Sequence, residues 1–162
     1  MMAVLEKMAS GYIAIYERPL KHSVTEVWGG LTQNDKLKVW MSNLEVAELK
    51  HGGTVKFNYN DGSGTSIDMK ITDYEENSIL EFEWGKNRVR FELTPASDGC
   101  IMVMKEFITV FNEHTSKDLA GWHVCLDLLT NLLNGQTPDF SMDEWQKWHK
   151  KYKTLLTEVR GR

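Results

Sequence analysis

Hydrophobic and polar positions alternate with two different periods along the chain, and each change of period marks a change of element. Residues Tyr12 to Glu17 mix β-branched and aromatic types, which suit a pleated surface, and predict a strand. Ser23-Val24-Thr25-Glu26 reads as a capping box, in which hydroxyl and carboxylate serve opposite backbone donors. The short helix that follows turns Val24, Val27, Trp28 and Leu31 inward. Thr32-Gln33-Asn34-Asp35 supplies cap chemistry for a second short helix ending near Trp40 and Met41.

From Leu44 to Phe111 the period is two. Val55, Phe57 and Tyr59 alternate with Lys56 and Asn58, and Ile67, Met69 and Ile71 alternate with Asp68, Lys70 and Thr72. Leu80, Phe82 and Trp84 alternate with Glu81 and Glu83, and Val89, Phe91 and Leu93 with Arg88, Arg90 and Glu92. Asn60-Asp61-Gly62-Ser63-Gly64, Gly85-Lys86-Asn87 and Ser97-Asp98-Gly99 are turn chemistry between these runs. The last strand is predicted over Cys100 to Phe111. One apolar and one charged face per strand is the pattern of an antiparallel meander wetted on one side.

The period then becomes helical. About Ser116 to Leu133 predicts a long helix with Leu119, Trp122, Leu126, Leu129 and Leu133 on one face. Cys125, Leu128 and Leu132 widen that stripe enough to touch two neighbours at once, and Gly135 ends the helix. Ser141-Met142-Asp143-Glu144 is a second capping box, with Phe140 and Trp145 placed to form a hydrophobic staple. The terminal helix it opens, 141–159, carries Trp145, Trp148, Tyr152, Leu155 and Val159 on one face and Lys147, Lys150, Lys151 and Lys153 on another.

This order predicts an α+β fold in a single domain over 1–162, with a core from 12–134. A curved antiparallel sheet of about 6–7 strands must cover its apolar face, and the helix from about Ser116 is the element long enough to do so. A helix gripped by a curved sheet leaves concave space, and the expectation is an apolar pocket there.

Charge narrows the function. The formal charge is −4 and the sequence pI about 5.7, so a nucleic-acid partner is not expected, because phosphate binding needs basic excess. No apolar run reaches the roughly 20 residues of a membrane span. Glu6 and Lys7 interrupt the first apolar stretch, unlike a signal peptide, and Cys100 and Cys125 read as buried free thiols. The protein is expected to be cytoplasmic.

The residues Glu17-Arg18, Val27-Trp28-Gly29-Gly30-Leu31-Thr32 and Trp40 carry a resemblance to a known family, together with Gly52-Gly53 and Leu80-Glu81-Phe82-Glu83-Trp84. It continues through Val89-Arg90-Phe91-Glu92-Leu93-Thr94-Pro95 and Gly121-Trp122. The sequence resembles the START-like, or SRPBCC, helix-grip superfamily. More narrowly, it is similar to the activator of heat-shock protein 90 ATPase homologue-like family. The resemblance implies a helix-grip fold with two short helices after the first strand, a hydrophobic ligand between sheet and long helix, and a chaperone as alternative partner. Lys21-His22 and Glu106 depart from the pattern; members often carry histidine near the latter place on the last strand.

Glu106 shares a comb with Cys100, Met102, Met104, Ile108 and Val110. If that comb faces the pocket, desolvation raises the pKa of Glu106 and makes it a proton donor or ligand anchor; otherwise it faces solvent or pairs with a cation. The expected ligand-binding set is Trp28, Trp40, Phe57, Tyr59, Met69, Ile71, Phe82, Trp84, Phe91, Met102, Met104, Glu106, Trp122, Leu126 and Leu129. The same aromatics and methionines also read as ordinary core.

No catalytic residues, cofactor or metal are expected. His22, His51, His114, His123 and His149 lack ligand spacing, neither cysteine sits in a Cys-x-x-Cys array, and no Gly-x-Ser-x-Gly elbow occurs. His123 reads as a packed, hydrogen-bonded histidine. The lysine face of the terminal helix reads as solvated, or as a docking face for an acidic partner. The expected function is a non-catalytic protein that binds a small hydrophobic or lipid-like molecule. The alternatives are a co-chaperone-like interaction module and a pocket enzyme such as a cyclase or hydrolase.

Overall fold

In a computed structural model, which describes residues 1–161, β-structure begins nearer the N-terminus than the hydrophobic pattern indicates. Strand β1 (Val4–Met8) forms a hairpin with β2 (Gly11–Leu20). Helices α1 (Val24–Thr32) and α2 (Asn34–Trp40) follow. The meander comprises β3 (Leu44–Glu48), β4 (Thr54–Asn58), β5 (Ser66–Glu75), β6 (Ile79–Trp84), β7 (Asn87–Ala96) and β8 (Gly99–Ile108). The chain ends in α3 (Thr115–Leu133) and α4 (Met142–Arg160). The strands form one antiparallel sheet in the order β1-β2-β8-β7-β6-β5-β4-β3. This is the α+β helix-grip arrangement, with eight strands among the described residues rather than six or seven.

The extra strand is β1. Of its five residues only Leu5 is buried, so no alternation announces it. It also reaches only to Ile15, which leaves that side of β2 free at Pro19, where a missing N–H does no harm. Strand β8 stops at Ile108 instead of Phe111 because Thr109 leaves the ladder. Its N–H donates to Asn87 Oδ1 at 3.0 Å and its hydroxyl to the Lys86 carbonyl at 2.7 Å.

Both serine caps form. Ser23 Oγ accepts from the Glu26 N–H at 3.1 Å, and Ser141 Oγ from the Glu144 N–H at 3.2 Å. The expected side-chain cap of α2 does not. Asn34 instead clamps β3, donating to the Val46 carbonyl at 3.0 Å and accepting from the Val46 N–H at 2.7 Å. Phe140, expected in a staple, stays exposed.

Register settles which comb of β8 faces inward. Cys100, Met102, Met104, Glu106 and Ile108 are all buried. Glu106 lies between Ala14 of β2 and Val89 of β7, and Met104 between Tyr16 and Phe91. The opposite face carries an ion network in which Arg90 meets Asp73 at 2.8 Å, Glu81 at 2.9 Å and Glu92 at 2.7 Å, and Lys105 meets Glu92 at 2.9 Å. These partly buried pairs contribute modestly to stability. Their main effect is that a one-residue slip would bury charges, which fixes the register.

Helix α3 lies against the inner face, flanked by α1 and α2 on one side and α4 on the other. The Tyr16 hydroxyl ties it to the sheet by donating to the Leu119 carbonyl at 2.9 Å. A Cβ at Gly30 would come within 2.9 Å of Leu129 Cδ1, so glycine there lets α1 approach α3. Under the middle of α3 the concave space is filled. Trp122 is 1% exposed, with its ring centroid 5.0 Å from Trp84 and 6.0 Å from Phe91.

Candidate ligand-binding cleft

With the centre filled, the open space that borders the expected aromatic residues lies at the rim, where the β6–β7 turn meets the start of α3. Gly85, at φ 61°, makes that turn tight enough to leave Trp84 and Asn87 side by side across the hairpin. Trp84 packs against Trp122 and sets its edge against Phe57, 5.5 Å between centroids. Its indole Nε1 donates to Asp118 Oδ1 at 2.9 Å. Asp118 stands in the first turn of α3, where a negative charge is favoured by the helix dipole.

Two clefts flank this Trp84–Asp118 contact. One of about 430 Å³ is bordered by Trp84, Gly85, Lys86, Asn87, Val110, Asn112, His114, Thr115 and Asp118. The other, about 380 Å³, is bordered by Met41, Asn43, Phe57, Trp84, His114, Lys117, Asp118, Gly121, Trp122 and Cys125. Trp84, His114 and Asp118 belong to both.

Behind this wall lies Glu106, fully buried. Neither of its carboxyl oxygens has a hydrogen-bond partner. Asp118 and Asn87 are its close polar neighbours. Asp118 is itself an acceptor, and the Asn87 amide, engaged through Oδ1 by Thr109, approaches without an aligned hydrogen bond. Burial first, and the Asp118 carboxyl second, push the Glu106 pKa well above the ordinary carboxylate value. Trp122 Nε1 is also buried without an acceptor. Cys125 borders the second cleft, with its Sγ 3.6 Å from Met41 Sδ; burial pushes its thiol up to about 12, so it is a packing group rather than a nucleophile.

His123 occupies the flank of α3 that faces α4. It is buried, stacked on Trp148 with centroids 3.7 Å apart, and its Nδ1 lies 2.7 Å from the Tyr152 hydroxyl. Burial, helped by Arg18, lowers its pKa to about 3. The neutral ring therefore accepts from Tyr152, whose oxygen in turn accepts from the Ala3 N–H at 2.9 Å. This is the packed histidine that the sequence implies.

Of the expected ligand-binding residues, Phe57, Trp84 and Trp122 border the apolar cleft and Glu106 lies behind its wall. Trp28, Trp40, Met69, Ile71, Phe82, Phe91, Met102, Met104, Leu126 and Leu129 are in the packed core and do not border it. Trp28, for instance, packs on Tyr74 at 5.9 Å, and Trp40 Nε1 donates to the Gly30 carbonyl at 2.7 Å. Tyr59 is a correction: it is 42% exposed, because β4 ends at Asn58 and the chain leaves the ladder there. The residues that sequence reasoning missed are Asp118, Asn87, His114 and Met41. Asp118 had a readable signal, since it stands four residues before Trp122 and so on the same helix face. Among the described residues no three His, Cys, Asp or Glu side chains converge as metal ligands would, and no helix is long and apolar enough to cross a membrane.

Comparison with known proteins places this geometry among relatives. The family model described as Activator of Hsp90 ATPase homolog 1-like protein matches residues 21–134. A solved structure of EF2215 from Enterococcus faecalis, a conserved protein of unknown function, is 27% identical with a TM-score of 0.84, over 97% of this chain and 91% of that one. CalU16 from Micromonospora echinospora is 20% identical with a TM-score of 0.74 over 94% of each chain. The Aha1 dimer from Colwellia psychrerythraea is 20% identical with a TM-score of 0.63, over 75% of this chain and 95% of that one. At these last two identities the likeness is one of fold. The curated proteins contain no match.

Proposed function

The chain belongs to the Activator of Hsp90 ATPase homolog 1-like family, and from that premise we propose that it is a non-catalytic binding protein holding a small, largely apolar molecule against Trp84 and α3. The observation that carries this reading is the cleft of about 380 Å³ walled by Met41, Phe57, Trp84, Trp122 and Cys125. Its size falls within the roughly 300–1,000 Å³ of small-molecule sites. Burying about five methylenes there contributes roughly 4 kcal/mol. That only offsets the low end of the cost of association, about 4–15 kcal/mol. Affinity must therefore come from the aromatic walls and from a polar contact at Asp118 or His114. Native mass spectrometry of freshly purified protein should show a small non-covalent adduct that is absent from the Cys125→Phe variant, whose added ring fills the cleft. An adduct that persists in that variant would put the ligand elsewhere.

A second reading is a co-chaperone-like module, supported by the family match and by the exposed lysines of α4. Lys147, Lys150, Lys151 and Lys153 all reach solvent, with Lys147 and Lys151 beside the Trp148 ring at 5.0 and 4.7 Å. Such a face suits an acidic partner surface. Titration of purified heat-shock protein 90 against the wild type and against the quadruple Lys→Glu variant decides it, since this reading requires binding that the variant loses.

A further inference from the structure

On the cleft flank of α3 the core leaves buried polar groups unsatisfied. Glu106 offers two buried carboxyl oxygens without a donor, and Trp122 Nε1, a buried donor without an acceptor, belongs to the cleft wall. Buried polar groups are nearly always paired, so the unpaired Glu106 carboxyl points to an absent partner. The groups that face Glu106 are acidic or neutral: Asp118 from α3, Asn87 from the β6–β7 turn, and, from β2, Tyr16, whose hydroxyl is committed to the Leu119 carbonyl. The cations of the region, Lys86 and Lys117, stand on the outer walls together with His114. Three aromatic rings, Trp84, Phe57 and Trp122, border the cleft together with Asp118.

We infer that the Glu106–Asp118 pair is the seat of a protonated amine, and that the ligand of the cleft is an organic cation whose apolar or aromatic body lies against Trp84 and Phe57. This deepens the small-molecule reading and rests on it. Two carboxyls abutting in a buried site cannot both ionise without a large penalty, so the empty site keeps a proton on Glu106. Burial and the Asp118 neighbour both act in that direction. An ammonium group supplies the donor that Glu106 lacks and a positive charge that faces both acids. As it docks, Glu106 releases its carboxyl proton to solvent and becomes the carboxylate that faces the ammonium. One cation enters and one proton leaves, so the buried charge is balanced. The aromatic faces add cation–π attraction, which strengthens where water is excluded. Anionic ligands are disfavoured by Asp118 at the wall.

The test uses one ring with three head groups: tryptamine, indole-3-ethanol and indole-3-propionate, titrated calorimetrically in two buffers of different ionisation enthalpy. Tryptamine should bind at least about tenfold tighter than the alcohol, the propionate most weakly, and tryptamine binding should release about one proton. Glu106→Gln should reduce tryptamine to the affinity of the alcohol and abolish proton release. Asp118→Asn gives the same loss of preference, and serves if the first variant does not fold. Equal binding of amine and alcohol by the wild type, or proton release that survives in both variants, overturns the amine site and leaves the cleft reading standing. If none of the three ligands binds, the cleft reading falls and the amine site with it.

Discussion

The two flanks of α3 bury titratable groups in opposite ways. Toward α4, His123 stacks on Trp148 and is hydrogen-bonded to Tyr152, which also receives the Ala3 N–H. Arg18 Nη2 on that side lacks an acceptor, but its guanidinium donates to the Glu17 carbonyl at 3.1 Å and lies 5.8 Å from the Tyr16 ring. Toward the cleft, Glu106 has neither oxygen satisfied, and Trp122 Nε1 lacks an acceptor. Both flanks shift pKa values strongly, so a perturbed pKa does not tell them apart. What separates them is whether the protein itself supplies the partners. The signs also differ. His123 titrates at about 3 when folded and near 6.5 when unfolded, so its contribution is complete above pH 6.5 and is lost as pH falls toward 3. Glu106 titrates higher when folded, so its contribution is complete below pH 4.5 and is lost as pH rises through its folded value.

The largest effect is expected where the cleft flank is anchored in the core. Trp122→Ala should cost about 3–5 kcal/mol, since it empties the contact with Trp84 and Phe91. Urea denaturation measures it, and a loss under about 1 kcal/mol would mean that the cleft wall is not anchored in the core. Tyr152→Phe tests the satisfied flank. It strands the Ala3 N–H and His123 Nδ1 together, which should cost about 1–3 kcal/mol. Amide exchange at Ala3 should quicken at the same time, because that hydrogen bond ties the chain ahead of β1 to α4. An unchanged exchange rate would erase the distinction between the flanks.

How much of this was legible in the sequence depends on what a pattern can encode. Alternation placed Val55, Met69, Ile71, Leu80, Phe82, Val89, Phe91 and Leu93 on the buried face but failed at Tyr59 and Ile67, which are exposed near the β4–β5 turn, and the Ser23 and Ser141 boxes located the starts of α1 and α4. It could not reveal β1, where one buried residue in five carries no period. The candidate site was legible only in part. Period two shows that Met69, Phe82 and Met104 face inward, but not whether neighbouring side chains fill the space in front of them; they do. The cleft survives where a turn, a loop and a helix terminus meet, and its wall residues Asn87, His114 and Asp118 come from segments without a shared period. Glu106 was visible as the one acid on an apolar comb, and only the pairing with Val89 and Ala14 fixed the direction in which it points.

The smallest effect sharpens the comparison most, because its sign is unusual. Glu106→Gln keeps the shape of the side chain and removes the ionisable group. At most buried positions such a change destabilises. Here the wild-type carboxyl must either hold a proton or carry an unpaired buried charge beside Asp118. Between pH 4.5 and the folded-state value, the native protein binds a proton that the unfolded chain does not, so wild-type stability falls with rising pH by at most about 1.4 kcal/mol per unit from this group. The variant escapes that fall. Its advantage should therefore be near zero at pH 4 and reach on the order of 1 kcal/mol by pH 8, read as the difference between two urea-midpoint profiles. A His123→Gln profile should move the other way, losing ground above pH 6.5 and recovering it in acid. If the Glu106→Gln difference is flat with pH, the carboxyl is satisfied by a partner after all, and the two flanks of α3 are alike.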